Sequence, residues 1–330
     1  MTTSTSSSDG SHDSRGWRAD IEAAARRLQQ DGRGFVRETP LWRLPAAALG
    51  LDAPGAEVWL KLEHLQSGGS FKARGMMNRL LANPIPAAGV VVASGGNAGI
   101  ATAGAARALG VPCEVFLPGV SPEAKRQKLR DLGATVNVVG ELYVDALEAC
   151  LARQQATGAL LTHAYDQPEV VAGAGTLGRE IEAQAGGVPD AVLVSVGGGG
   201  LIGGLAGWFE SRTRVIALEP EGSPTLYRAR EAGEPVDVAV GGLAADSLGA
   251  RRIGDIAWQI AQQHVPEALL LTESAIRDAQ QWMWKEMKLA VEAAAALPLA
   301  ALHSGAVRLQ PGQRVCLIVC GANVDPATVA

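Results

Sequence analysis

The stretch Val194-Ser195-Val196-Gly197-Gly198-Gly199-Gly200-Leu201 carries the chain from an apolar strand, residues 191–196, into a helix over 201–210. Glycine costs conformational entropy and offers no side chain to pack, so four in succession mark a backbone that something must approach closely. Consecutive unblocked amides at a helix start form a cradle for phosphate. The run lacks the terminal Lys-Ser/Thr of a P-loop, which argues against hydrolysis of a nucleoside triphosphate. A phosphate cup is the reading that accounts for it; the bland alternative is a structural glycine turn.

Working outward, the same strand-then-helix alternation fills the chain. Short apolar strands are expected at 57–63, 90–93, 113–117, 135–139, 160–162, 215–218, 269–272 and 314–319. Helices are expected at 17–30, 98–109, 143–157, 170–184, 223–232 and 274–287, with another capped by Ser121-Pro122-Glu123 and ending at Leu132-Gly133. Buried strands alternating with helices mean α/β architecture with parallel sheet. Two such blocks predict two domains, each an open, twisted, mostly parallel sheet flanked by helices, with the site in the cleft between them.

Composition narrows the classes. The chain has 330 residues, 47% apolar and 19% charged, with a formal net charge of −5. That length supports large buried cores, and the charge leaves no electrostatic footprint for nucleic acid. Cys113, Cys150, Cys316 and Cys320 form no Cys-x-x-Cys pair and have no His at metal-ligand spacing, which favours a reduced, cytoplasmic setting. No apolar run is long enough to span a membrane without Gly or charge. Residues 1–15 are Ser/Thr/Asp-rich, with no secretory apolar region, and read as a disordered tail.

Three other segments carry chemistry. In Ser70-Phe71-Lys72-Ala73-Arg74-Gly75, following Gly68-Gly69, a lysine stands at the start of a helix-prone segment, 76–81. The helix dipole and Arg74 are expected to disfavour its ammonium form, and a neutral lysine is what a Schiff base requires. Ser94-Gly95-Gly96-Asn97 ends a strand and opens a helix, offering amides to a carboxylate or phosphate. Cys320, after the last strand, is a small neutral group able to meet a ring nitrogen without holding it protonated. Amine, phosphate cup and ring partner match the aldehyde, phosphate and pyridine nitrogen of pyridoxal phosphate (PLP).

These motifs resemble the serine/threonine dehydratase family, PLP enzymes of the tryptophan-synthase-β-like fold type II. The likeness runs from Thr39-Pro40-Leu41 to Asn323 and includes Asp166-Gln167-Pro168, Ala172-Gly173-Ala174-Gly175-Thr176 and Glu219-Pro220. It implies a large PLP-binding domain of residues 16–65 plus 168–330, and a small domain of residues 66–167. On matching positions, it implies that Lys72 carries the cofactor and later takes the substrate's Cα proton, with Phe71 beside the ring. Ser94, Gly95, Gly96 and Asn97 would hold the substrate carboxylate, Asn97 also touching the cofactor's 3′ oxygen. Gly197, Gly198, Gly199, Gly200 and Leu201 would hold the phosphate, and Cys320 would face the pyridine nitrogen. Glu292 would stand near the ring, and Tyr165 would wall the substrate pocket. A homodimer is the assembly the family suggests.

The activity implied is β-elimination from a β-hydroxy amino acid, L-serine or L-threonine by default, giving a 2-oxo acid and ammonia. A phenylserine is also allowed. A hydroxyaspartate is less favoured, because no spare arginine is evident for a second carboxylate. Racemases of the family carry a serine base where this chain has Gly95, so racemisation should be weak. Members that bind a divalent cation use a glutamate, a carbonyl and an aspartate. Glu219 is the only candidate ligand here, since Thr225 stands at the aspartate position. The same-fold rival is a β-replacement synthase; the rival from another class is a non-catalytic phosphate-ligand sensor, which would have no need of Lys72. His64, His163, His264 and His303 show no mutual pattern and read as structural or surface residues.

Overall fold

A computed structural model describes residues 16–329; the segment expected to be a disordered tail lies outside them. The first half runs α1 (Gly16–Asp31), β1 (Leu41–Pro45), β2 (Glu57–Lys61), α2 (Lys72–Leu81), β3 (Val90–Ala93) and α3 (Asn97–Leu109). It continues through β4 (Cys113–Leu117), α4 (Glu123–Asp131), β5 (Thr135–Val138), α5 (Tyr143–Thr157) and β6 (Leu160–Thr162). Next come α6 (Pro168–Ala185), β7 (Ala191–Ser195), α7 (Gly200–Phe209), β8 (Arg214–Pro220) and α8 (Thr225–Ala232). The chain closes with α9 (Asp255–His264), β9 (Glu267–Leu271), α10 (Glu273–Met287), α11 (Ala293–His303) and β10 (Arg314–Ile318).

The strands form two sheets. One has six strands in the order β1-β2-β10-β7-β8-β9, the other four in the order β5-β4-β3-β6. Every pairing is parallel except β1 with β2. Strands β3 and β7 are buried along their whole length, as expected where helices cover both faces of a parallel sheet. Each sheet has its own apolar core, around Val192, Leu193, Val215 and Leu317 in the larger and Val90, Val92 and Val115 in the smaller. The α/β class and mostly parallel sheets agree with the sequence reading.

Three elements were not anticipated. Strand β1 carries Arg43 and ends on Pro45, both unlike an interior strand; it lies at the sheet edge, where proline is tolerated. Helix α9 sits between the expected helix at 223–232 and the strand that follows. Helix α11 is apolar on every side and contains Pro298, so no amphipathic period announces it. All its residues from Ala293 to Leu302 are buried.

Pro298 leaves a mark on the site. A proline has no N–H to donate to the carbonyl four residues earlier, here that of Ala294. That carbonyl instead accepts a hydrogen bond from Ser195 Oγ at 2.5 Å, at the end of β7.

Candidate active site

Helix α2 begins at Lys72 itself, four residues earlier than the apolar pattern suggested. The turn carrying Lys72 is stitched to the turn that follows β10. Ser70 pairs with Gly321 in an isolated antiparallel bridge, and the Phe71 amide donates to the Cys320 carbonyl at 3.0 Å. Lys72 Nζ donates to the Ala164 carbonyl at 2.6 Å and lies 5.1 Å from the centre of the Phe71 ring. Burial lowers its pKa from the ordinary lysine value to about 8, against the opposing pull of Cys320 and Glu292.

Arg74 does not contribute to that shift, contrary to the sequence expectation. Its guanidinium turns away from the amine into a buried ion cluster. It grips Glu63 with Nε and Nη2, both at 2.8 Å, and Glu180 at 2.9 Å. Lys61 completes the cluster, donating to Glu180 at 2.5 Å and to the Thr39 carbonyl at 2.7 Å. Residues two apart on a helix do not share a face, so Lys72 and Arg74 serve different environments.

The glycine run lies where β7 passes into α7. Gly199 has φ +90°, and a Cβ there would stand 2.5 Å from the Ala257 side chain. At Gly198 a Cβ would fall 2.2 Å from the Tyr165 ring. Both positions therefore demand glycine, and the amides of the loop and the first turn of α7 remain open to an anion. Thr225 Oγ1 donates to the Gly197 carbonyl at 2.6 Å, bracing the loop from behind.

One cavity gathers the motifs. Gly197, Gly198, Gly199, Gly200 and Leu201 line it together with Phe71 and Lys72. Asn97, Glu292 and Cys320, also expected from sequence, line it too, as does Ser195 at the end of β7; Ser247 and Leu248 join it without a motif to announce them. Burial pushes the Cys320 thiol well above its ordinary range, and the carboxylate of Glu292 adds to this, so the thiol stays neutral. Glu292 is itself buried and raised by that burial, although Asn97 and the Asn323 amide stabilise its charged form. Asn97 Nδ2 reaches both Glu292 oxygens at 2.9 Å, while Asn97 Oδ1 accepts from Asn323 Nδ2 at 2.6 Å. Asn323 is the residue sequence reasoning gave no role; its place at the end of Cys320-Gly321-Ala322-Asn323 was the available signal.

Gly96 and Asn97 also face a wider cleft of about 900 Å³. Ser94 Oγ accepts the Gly96 amide at 3.3 Å and shapes the loop without lining the inner cavity. Gly95 has room: a Cβ would sit 3.6 Å from Leu117 and from Ser121 Oγ. Tyr165 falls outside the lining of both cavities. Since Gly198 has no Cβ, the ring drops onto the glycine loop, and its hydroxyl donates to the Arg252 carbonyl at 3.3 Å.

Glu219, the candidate metal ligand, is fully buried and already satisfied. It accepts from the Leu226 and Tyr227 amides at 2.8 and 2.7 Å and contacts Thr225 Oγ1 at 3.0 Å. Burial raises its pKa to about 7. Among the described residues no group of three or more His, Cys, Asp or Glu is placed to hold a metal ion.

A family model described as pyridoxal-phosphate dependent enzyme matches residues 33–321. The chain belongs to that family. It is 34% identical over 282 residues to the L-threonine ammonia-lyase of Thermotoga maritima, covering 83% of this chain and 69% of that protein. It is 35% identical over 277 residues to the beta-hydroxyaspartate dehydratase of Paracoccus denitrificans, covering 82% and 87% of the two chains. The crystal structure of a threonine deaminase from T.th. superposes with a TM-score of 0.85 at 35% identity, covering 93% of this chain and 98% of the other.

The residues of this pyridoxal-phosphate dependent enzyme fit the cofactor. An enclosed amine with a lowered pKa can meet an aldehyde. A glycine loop that lines the cavity and opens helix α7 there can meet a phosphate with its amides. A neutral thiol beside the amine can face a ring nitrogen without protonating it.

Proposed function

We propose that the chain catalyses β-elimination from a β-hydroxy α-amino acid, releasing water and yielding a 2-oxo acid and ammonia. One observation carries the reading: the Lys72 amine, the glycine cradle and the Cys320 thiol line a single cavity. Pyridoxal phosphate, when bound, supplies the electron sink that acidifies the substrate's Cα–H. The amides of Gly197 to Gly200 would hold its phosphate, with Phe71 beside its ring. Lys72 Nζ would hold the cofactor and, as the free amine, would take the proton from the substrate's Cα. Ser94, Gly95, Gly96 and Asn97 bind the substrate carboxylate at the start of α3. Glu292 orients Asn97, and Cys320 would meet the ring nitrogen as a neutral partner, which favours elimination over transamination.

L-Serine or L-threonine is the default substrate. A second reading, an acidic β-substituent, gains from Arg277. The sequence offered no evident spare arginine, but Arg277 is exposed, lines the wider cleft with Lys125 and Lys128, and forms no ion pair with another described residue. We also read the protein as a cytoplasmic homodimer with a large domain of residues 16–65 plus 168–330 and a small one of 66–167. The four free, buried cysteines support a reduced setting, and among the described residues no helix is long and apolar enough to cross a membrane.

Purified protein should absorb at roughly 410–420 nm, as a lysine-bound cofactor does, and Lys72→Ala should lose the band. Release of 2-oxo acid from serine, threonine, phenylserine and hydroxyaspartate then ranks the substrates. A colourless protein that releases no 2-oxo acid from any of them sinks the proposal.

A further inference from the structure

We propose that His163 is a positioning residue for Lys72: its Nδ1 shapes the turn whose Ala164 carbonyl receives the lysine amine. The inference rests on the reading of Lys72 as the amine that moves the Cα proton. His163 follows β6 directly. Its Nδ1 accepts the amide of Asp166 at 2.9 Å and lies 3.4 Å from the amide of Tyr165. Two N–H donors aimed at one ring nitrogen assign its state: Nδ1 carries the lone pair, and the ring proton sits on Nε2. The turn is gripped from the other side as well. The His163 amide donates to Gln167 Oε1 at 2.8 Å, and Gln167 Nε2 donates to the Leu161 carbonyl at 3.2 Å.

Each residue of this turn then meets a part of the site. The Ala164 carbonyl accepts Lys72 Nζ at 2.6 Å. The Tyr165 ring, edge-on to His163 with centroids 4.6 Å apart, rests on Gly198, and Gly200 lies against the residue's Cβ and backbone. The Asp166 carboxylate accepts the Asp255 and Ile256 amides at 3.1 Å and so anchors α9. A single imidazole therefore sets the spacing between the reactive amine and the phosphate cradle. Burial holds that imidazole below its ordinary pKa; Asp166 opposes this and nearby Lys72 adds to it.

The chemical consequence concerns the free amine. A carbonyl only accepts, so Ala164 takes one N–H of a neutral Lys72, and the lone pair is directed elsewhere, toward the cavity the residue lines. Without the His163 bonds the carbonyl is no longer held. The amine then loses both its acceptor and its direction.

The test compares His163→Leu, of similar bulk but with no acceptor, with His163→Asn, whose amide oxygen can stand in for Nδ1. In full-length protein stripped of cofactor, the pH midpoint for acylation of Lys72 is read by peptide mass spectrometry. In His163→Leu it should fall by about one unit, the loss of one hydrogen bond to the ammonium; in His163→Asn it should stay with the wild type. In the loaded enzyme, His163→Leu should lose about 10- to 100-fold in kcat, the scale of a misplaced reactive group, with little change in KM. An unchanged midpoint in a folded His163→Leu protein overturns the proposal, whatever its melting temperature. Should that variant not fold, ¹⁵N-histidine spectra of the wild type decide, because a proton on His163 Nδ1 is incompatible with the assigned bonds. Failure of the functional reading is separable: borohydride reduction would then place the cofactor adduct on a lysine other than Lys72.

Discussion

Ser195 Oγ donates to the Ala294 carbonyl, the group that Pro298 leaves without its helical N–H partner. A defect in α11 thus becomes a link between β7 and α11 at the wall of the cavity. Ser195→Ala should cost about 1–3 kcal/mol in chemical denaturation, the range for a buried acceptor left unsatisfied. In a Pro298→Ala background the Ala294 carbonyl regains a backbone donor, so the same change should cost clearly less. Equal costs in the two backgrounds would refute the link.

The contact between Gly198 and the Tyr165 ring predicts a pair of effects. Gly198→Ala places a Cβ 2.2 Å from that ring and must shift the loop. Cofactor affinity, measured by fluorescence titration, should weaken at least about tenfold, as one lost phosphate hydrogen bond would produce. Adding Tyr165→Ala should restore part of it by removing the obstruction.

Lys72 predicts a pH dependence in cofactor-stripped protein. Its folded pKa is about 8, below the 10.5 of an ordinary lysine. Between these values the unfolded chain binds more protons, so stability from this residue rises with pH from 8 to 10.5. At pH 7 its buried charge costs on the order of 3 kcal/mol. Lys72→Met should therefore be more stable than the wild type near neutrality, and the advantage should vanish above pH 10.5.

Arg74 predicts a stability effect alone. Arg74→Met strips both guanidinium bonds from Glu63, a carboxylate with no exposed surface, which should cost about 3–5 kcal/mol in denaturant titration. Replacing Glu63 and Arg74 together by apolar residues should recover much of that loss.

Gly95 predicts a change of outcome. A Cβ meets only ordinary contacts there, at 3.6 Å, so Gly95→Ser should fold like the wild type. If that hydroxyl supplies the base on the opposite face, the variant should form D-serine from L-serine above the wild-type level, read by chiral chromatography.

Much of the site was legible because its parts are local. A strand, a glycine run and a helix start adjoin in the chain at 194–201, and the amine at Lys72 follows its own glycines. Asn323, Ser247 and His163 were not legible, because what gives each a role is a partner distant in the chain or a turn whose purpose is elsewhere. The reading of Arg74 failed for the same reason: adjacency to Lys72 suggested an effect that Glu63 and Glu180 absorb. Helix α11 escaped because full burial removes the amphipathic period that marks a helix.

The tetraglycine therefore determined, without any structure, that the end of a buried strand is closely approached backbone opening a helix, since four adjacent glycines otherwise only cost conformational entropy. Tertiary structure decided what faces it. The Lys72 turn is held against Cys320 by a bridge between residues about 250 positions apart. The amine's pKa is set by burial rather than by its sequence neighbours. Desolvation and long-range hydrogen bonds exist only once the chain has closed on itself, and no local pattern encodes them.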